Sequence, residues 1–591
     1  MNREDAGGAR RCDARRSEDA TGADGDPDGL GNDAVAEIVG DTSGEGRRHD
    51  ATADIRGGTA AAGHRGDSKA GTAPRSATGP TPHDAPADFL ALLAEQVRLH
   101  PDAPALGMVG DAPLSFAELE ARIAGVAQRL RDNGFQRGDR MLFSIRPCAD
   151  AVTLIFGTIA AGGTIVFVDP GVGPELFARR IGLVEPAWAA TESLLYLLSG
   201  PLHRLGRARG LALPAFGRLP VRHIHSGPRL PGTPARSVPL RRLLGSGATA
   251  AFAAADPAAE ALIVFTSGTT AAPKAVVHTR GSLGAGLAAM AGRSSLGPGA
   301  HLHTEQLMMG LPALLAGARW SMPRYPRFGT HIDPVGFARG LDAATHAFFT
   351  PADLAVVLAA IERGELAAPR ALREISLGGA PVTTALLRRA RKSLPDCEFL
   401  AIYGMTEILP VAITSGTAKL DFDGAGDPLG APVRGVTARI AADGELVLSG
   451  PNLCAGYLGE PPLREIPTGD LARLDGDTLV LMGRKKDMMI RGKTNIYPGL
   501  YEPAIANVAG VRQAIMVGVP DEVGDERIVL AVVPDPGATD VVARLRRELP
   551  ALMDTSALPD DIVLVDEIPV SGRTSKPDRA ALRTRLADLL D

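Results

Sequence analysis

Apolar positions along this chain follow two alternating rhythms. Leu119, Ile123, Val126 and Leu130 recur every three to four residues, which puts them on one face of a helix. Just upstream, Ser115-Phe-Ala-Glu118 has the form of a capping box, each side chain satisfying an orphan backbone donor. Gly134 suits a left-handed cap at the far end. A shorter helix is expected from Asp88 to Val97, and a strand after Arg140. The uncharged stretch Ala151–Val168 only just reaches the length of a membrane span. Gly162-Gly163 divide it, so a buried helix followed by a buried, β-branched strand is the better reading. Ala261–Phe265, Thr478–Met482, Ala514–Val519 and Ile528–Val533 read as further strands. The alternation predicts an α/β fold, with a large domain over residues 87–483 and a small α/β lid domain over residues 484–591.

Two regions break the rhythm. Residues 1–86 hold no aromatic side chain and are rich in Gly, Ala, Asp and Arg. Such a segment buries too little apolar surface to offset its ordering entropy and is expected to be disordered. Residues 201–246 carry Arg204, Arg207, Arg209, Arg218, Arg222, Arg229, Arg241 and Arg242 among many prolines and glycines. A solvated insertion is the expectation there, and a basic surface for a phosphorylated ligand is the alternative.

Composition narrows the class. A chain of 591 residues exceeds one core, and 45% hydrophobic content is that of a globular protein. The net charge of −5 argues against a global attraction to nucleic acid. Cys12, Cys148, Cys397 and Cys454 form neither a zinc spacing nor a disulfide framework, which suggests a reducing, cytoplasmic location. No apolar leader segment is visible at the N-terminus.

The chemistry concentrates after the strand Ala261–Phe265. Thr266-Ser-Gly-Thr-Thr-Ala-Ala-Pro-Lys274 offers four hydroxyls, a glycine and a lysine within one loop, a set suited to polyphosphate. It is not a Walker loop, because Lys274 follows Pro273 and leads into a strand. An ordinary Ser/Thr/Gly turn between strands is the other reading. This loop resembles the phosphate loop of the adenylate-forming superfamily of acyl-CoA synthetases, luciferases and peptide-synthetase adenylation domains. Ala271 and Ala275 stand where the family pattern has glycines, and alanine tolerates positive φ poorly.

Further matches occur in family order from about Phe89 to the C-terminus. Thr266, Ser267, Gly268, Thr269, Thr270 and Lys274 are, by the resemblance, the phosphate contacts. Ser376-Leu-Gly-Gly-Ala-Pro381 contains Gly379, Ala380 and Pro381, which the resemblance places along the adenine. Tyr403-Gly404-Met405-Thr406-Glu407 is the most specific short match. It implies Tyr403 against adenine, Thr406 on the α-phosphate and Glu407 on the Mg²⁺ that accompanies ATP. Asp470, in Thr468-Gly-Asp470, is the implied ribose contact, with Arg484 as its partner. Lys486 occupies the hinge position about which the small domain turns, and Gly492–Tyr497 with Pro498 and Glu502 match the adjoining loop. Ser571-Gly-Arg-Thr-Ser-Lys576 resembles the segment bearing the catalytic lysine, with Ser575 in place of a glycine. A cation there would offset charge that gathers in the transition state.

The resemblance implies ATP-dependent activation of a carboxylic acid as acyl-AMP, with release of pyrophosphate. Transfer to CoA is the leading expectation for the second step. An acyl carrier protein, or an intramolecular hydroxyl as in β-lactone synthetases, are the other acceptors. A non-catalytic nucleotide or acyl binder is the reading from a different class. His301, His303, Leu307, Met308 and Met309 fall in a substrate-side segment, where they would either meet the acid or serve equally as core residues and satisfied structural histidines, and no aspartate stands ready to anchor an amino group. That favours a fatty or other hydrophobic acid over an amino acid.

Overall fold

The computed structural model describes residues 88–168, 174–208, 213–245, 255–265, 274–326, 332–491, 494–520, 526–553, 557–571 and 576–590. The tail up to residue 86 and the phosphate-loop positions Thr266–Thr270 lie outside these ranges.

Two eight-stranded sheets form most of the large domain. One carries Arg140–Ser144, Thr164–Phe167, Trp188–Glu192 and Glu260–Phe265 in parallel, with Ala275–Thr279 returning antiparallel beside Glu260–Phe265. The other carries His301–His303, Arg319–Met322, His346–Phe349, Glu374–Leu377 and Glu398–Met405 in parallel, closed by the antiparallel Ile408–Ser415. A five-stranded antiparallel sheet follows, containing Ile466–Asp475 and Thr478–Arg484. This is a mixed α/β architecture with a large N-terminal sheet domain and a small C-terminal domain.

Local rules account for the elements. Helix Phe116–Asp132 starts at the expected capping box, with Ser115 N donating to Glu118 Oε2 at 2.8 Å and Glu118 N to Ser115 Oγ at 3.1 Å. Ala151–Val168 is indeed split, into helix Ala149–Ala160 and strand Thr164–Phe167, with Gly162 at φ +93° between them. Among the described residues no helix is long and apolar enough to cross a membrane.

The small domain shows why Ile528–Val533 reads as an unbroken apolar run. Strand Glu526–Pro534 is buried on both faces. Ile528, Leu530 and Val532 pack with Leu545 and Leu549 of helix Val541–Leu552, while Val529, Ala531 and Val533 pack with Leu582 and Leu586 of helix Arg579–Leu590.

Two expectations need correction. Residues 201–246 are not simply an insertion: Arg222–Ser226 pairs in parallel with Trp188–Glu192, and Val238–Pro239 extends that edge. Ile224 is the single large apolar anchor of Arg222–Ser226, so its alternation disappears among arginine and histidine. Ala275 begins strand Ala275–Thr279 and is not among the positive-φ residues, so an alanine suits that position. Of the two roles open for His301 and His303, the geometry shows the structural one. His303 is fully buried, its Nδ1 2.9 Å from Ser321 Oγ and its ring against Phe337, while His301 Nε2 reaches the same hydroxyl at 2.7 Å.

These contacts give two predictions. Asp88 caps helix Phe89–Leu99 through Leu90 N at 2.9 Å and forms an ion pair with Arg280 in which both side chains are almost wholly buried. Removing one partner strands the other charge, so Arg280→Met should cost about 3–5 kcal/mol in denaturant unfolding of the large domain. Adding Asp88→Asn, which keeps a capping oxygen, should restore part of that loss. Burial, and then His301 nearby, push the His303 ring down to about 3. Below the unfolded-state value of about 6.5 the unfolded chain takes up a proton that the folded ring refuses, so stability present above that pH is lost as pH falls. Unfolding midpoints measured from pH 7 to pH 4 should show His303→Asn losing about 1.4 kcal/mol per pH unit less than the parent.

Candidate active site

The parallel strands Glu374–Leu377 and Glu398–Met405 end side by side, and their C-terminal ends set the first half of the site. After Leu377 the chain turns through Gly378-Gly379-Ala380-Pro381. Gly379 holds φ +81°, a conformation that costs a side chain dearly, so the backbone lies open to the cleft there. Tyr403, Gly404 and Met405 close strand Glu398–Met405, and Thr406-Glu407 form the two-residue turn into Ile408–Ser415.

That turn is held from two sides. His278 Nε2 donates to the Thr406 carbonyl at 2.7 Å, and its Nδ1 lies 3.2 Å from Ser282 Oγ. Burial pushes the His278 ring down, so it is a neutral imidazole fixed in one tautomer by these partners. Cys454 N donates to the Glu407 carbonyl at 2.7 Å. The Glu407 carboxylate is 2% exposed and its Oε1 accepts from Tyr457 Oη at 2.9 Å. Lys274 Nζ lies 4.8 Å from the centre of the same Tyr457 ring, so one aromatic spans the end of the phosphate loop and the acid.

Asp470 sits within strand Ile466–Asp475, directly opposite Arg484 on Thr478–Arg484. The pairing puts Arg484 Nε 3.3 Å from Asp470 Oδ1, while Tyr403 Oη donates to Asp470 Oδ2 at 2.6 Å. Burial pushes the Asp470 carboxyl upward, and Arg484, Tyr403 and Lys576 draw it back. Burial likewise raises the Tyr403 phenol, reinforced by the Asp470 charge, so it remains a donor.

The small domain supplies the opposite wall. Lys576 lines the same cleft as Gly379, Tyr403 and Asp470 and lies within electrostatic reach of the Asp470 carboxylate. Its segment is anchored by Arg579, which donates to Glu502 Oε1 and Oε2 at 2.7 Å each and to the Met516 carbonyl at 2.7 Å. Arg579 also reaches Asp487 at 3.2 Å. Lys486 therefore stands between two anchors: Lys485 grips Asp443 and Glu445 of the large domain, and Asp487 is held by the small one. Asn507 adds a bridge, donating to Thr384 Oγ1 at 3.0 Å and accepting from Arg388 at 2.6 Å.

Of the residues singled out from sequence, Gly379, Ala380, Pro381, Tyr403, Gly404, Met405, Asp470, Arg484, Lys486 and Lys576 line one cleft. Thr406 and Glu407 follow Met405 in the adjoining turn and Lys274 meets the Tyr457 ring that holds Glu407, a group beside the cleft lining, while Thr266–Thr270 fall outside the described residues. Met309 reaches the cleft wall, whereas Leu307 and Met308 pack on the core. His278, Tyr457 and Arg579 were not anticipated. Nothing in the spacing around Tyr457 marks it, because its partner Glu407 is fifty residues away in sequence.

The molecule has clear relatives. The family model "AMP-binding enzyme" matches residues 93–458, and that for the "AMP-binding enzyme C-terminal domain" matches 501–574. Phenyloxazoline synthase MbtB of Mycobacterium tuberculosis is 29% identical over 83% of this chain and 34% of its own length. The 3-[(3aS,4S,7aS)-7a-methyl-1,5-dioxo-octahydro-1H-inden-4-yl]propanoyl:CoA ligase of Rhodococcus jostii is 33% identical over 35% of this chain and 42% of its own. The chain thus spans less than half the length of either curated relative. ATP-bound MatB of Rhodopseudomonas palustris superposes with a TM-score of 0.66 at 23% identity, over 85% of this chain and 99% of that one, a likeness of fold. With both domain models matched in order, the chain belongs to the AMP-binding enzyme family, within the adenylate-forming superfamily.

Proposed function

We propose that this protein is an ATP-dependent ligase that activates a carboxylic acid as its acyl adenylate and then forms a thioester with CoA. The observation that carries the reading is the meeting of Lys576, from the small domain, with the Tyr403–Asp470–Arg484 cradle of the large one.

In this reading Gly379, Ala380 and Pro381 flank the adenine, with Tyr403 stacked beside it, and Asp470 receives the ribose hydroxyls. Its two oxygens suit two donors, and Arg484 favours its charged form against the burial that pushes the carboxyl upward. Lys274 and the hydroxyls of Thr266–Thr270 hold the phosphates, and Thr406 approaches the α-phosphate. Glu407 with phosphate oxygens would hold Mg²⁺, an all-oxygen set that fits a hard cation and leaves part of its shell to the nucleotide. When bound, the ion would neutralise phosphate charge.

The protein's own part is placement and charge. The substrate carboxylate attacks the α-phosphorus, the bond to the pyrophosphate oxygen breaks, and pyrophosphate departs with its electron pair. Lys576 bridges the attacking carboxylate and the α-phosphate, where negative charge converges. Rotation about Lys486 would then withdraw Lys576 and admit a thiol to the acyl carbonyl, with AMP leaving. CoA as that thiol is supported by the complete small domain and by the relative named as a CoA ligase. A carrier-protein thiol is the second reading, favoured by the longer match to phenyloxazoline synthase.

Acid-dependent pyrophosphate release should appear with Mg-ATP and fall by about 100-fold or more in Lys576→Ala. ATP affinity by calorimetry should be nearly unchanged in that variant. Loss of ATP binding together with activity would show that Lys576 supports the fold instead. Running each active acid with CoA and with a phosphopantetheinylated carrier protein identifies the acceptor by the thioester formed.

A further inference from the structure

Helix Pro174–Val184 follows strand Thr164–Phe167 and packs on the first eight-stranded sheet, where Phe177 and Val184 join Ile263, Phe265 and Ala275 in one buried cluster. Phe177, Arg180 and Val184 are buried and recur at helical spacing, so an arginine occupies a position on the face that meets the sheet. Its neighbour Arg179 is exposed, as a surface arginine should be.

Among the described residues three arginine or lysine side chains are buried, Arg180, Arg280 and Lys419. Arg280 pairs with Asp88, and Lys419 pairs with Asp427. Arg180 is 7% exposed, and among the described residues it has no ion pair and its Nε has no hydrogen-bond partner. Its guanidinium carbon lies 5.0 Å from the centre of the Phe265 ring. That ring face attracts the cation but accepts from its five N–H donors far more weakly than an oxygen would. Burial pushes the Arg180 guanidinium below its ordinary value. A buried cation in this state is costly until a ligand supplies the anion.

The position of Arg180 says which anion. It lines the cleft together with Phe167, Val264 and Phe265. Those three stand at the C-terminal ends of two parallel strands, with Phe167 paired to Val264, and open α/β sheets receive ligands at that edge. Phe265 is the last residue before Thr266, and it pairs with Ala275, which directly follows Lys274. The hydroxyl-rich segment Thr266–Lys274 thus begins and ends beside the ring on which Arg180 rests. Resting on the adenylation reading above, we infer that Arg180 is a phosphate-binding residue whose guanidinium fork receives the terminal phosphates of ATP and then the departing pyrophosphate. As the substrate carboxylate bonds to the α-phosphorus, the bond to the bridging oxygen breaks and its electron pair passes to pyrophosphate. Arg180 offsets the charge that gathers there, and no proton has to move. A planar fork of donors matches phosphate oxygens, where an ammonium offers only a point charge.

Arg180→Met keeps the apolar stem and removes the charge. Calorimetry on the full chain with Mg-ATP, Mg-pyrophosphate and AMP tests the three ligands separately. Affinity for Mg-ATP and Mg-pyrophosphate should fall about tenfold or more, while that for AMP stays within about twofold. The unliganded variant should unfold at the parent's midpoint or above it, because an unpaired buried cation has been removed. Arg180→Lys should recover part of the loss for both phosphate ligands. Equal losses for ATP and AMP, or a lowered unliganded midpoint, would assign Arg180 to the fold and overturn the inference. Unchanged affinity for ATP and pyrophosphate would also overturn it. So would a loss confined to acids with a second carboxylate, read as KM for succinate against butyrate in pyrophosphate release. A selective loss of ATP and pyrophosphate binding, in a protein from which no acid elicits pyrophosphate, would sustain the site and overturn the adenylation reading instead.

Discussion

Asp470 is 4% exposed, and an isolated carboxylate at that depth would take up a proton rather than remain charged. Each group that opposes this comes from a different part of the structure. Arg484 faces it across the strand pair, Tyr403 arrives from the end of the parallel sheet, and Lys576 approaches from the small domain. The pull that offsets burial at Asp470 thus depends on the register of the antiparallel sheet, on the docking of that sheet against the parallel one, and on the position of the small domain. Withdrawing Lys576 would remove one of the cations that favour the ionised form. A domain rotation would consequently alter the electrostatics around Asp470 as well as the shape of the cleft.

The positioning of the small domain rests on contacts of unequal strength. Lys485 with Asp443 and Glu445 is half-exposed and weak by the usual measure of surface pairs. Arg579 with Glu502, in contrast, is a paired fork, part-buried within the small domain. The small domain is therefore stiff internally and lightly attached. Gly499 sharpens the point: a Cβ there would lie 2.6 Å from the Met482 carbonyl, so the helix Pro498–Ile505 nests directly on the strand leading to the hinge. A rigid unit that touches its neighbour through solvent-accessible polar pairs and a bare backbone contact is well suited to move as a whole.

What could be read in the sequence was local. The capping box at Ser115–Glu118, the split of Ala151–Val168 and the doubly buried Ile528–Val533 all follow from periodicity over a few residues. The glycine turn after Leu377 and the Tyr403–Glu407 segment were legible because short-range backbone demands and side-chain chemistry coincide in them. The supports of that chemistry were not legible. His278 holds the Thr406 carbonyl across 128 positions and Tyr457 holds Glu407 across fifty. Pairings of that separation leave no periodic trace in a single chain. Arg222–Ser226 was missed for a related reason, since of its buried residues only Ile224 is a large apolar one and the histidines beside it hide the strand.

For His301 and His303 residue type left two roles open, a ligand contact or a structural one, and geometry supplied the structural one. Both are on strand His301–His303, and their imidazoles converge on Ser321. Farther along the same sheet, Glu374–Leu377 continues into the turn Gly378-Gly379, so the depth of each of its side chains behind that turn is set by a count of residues in a strand.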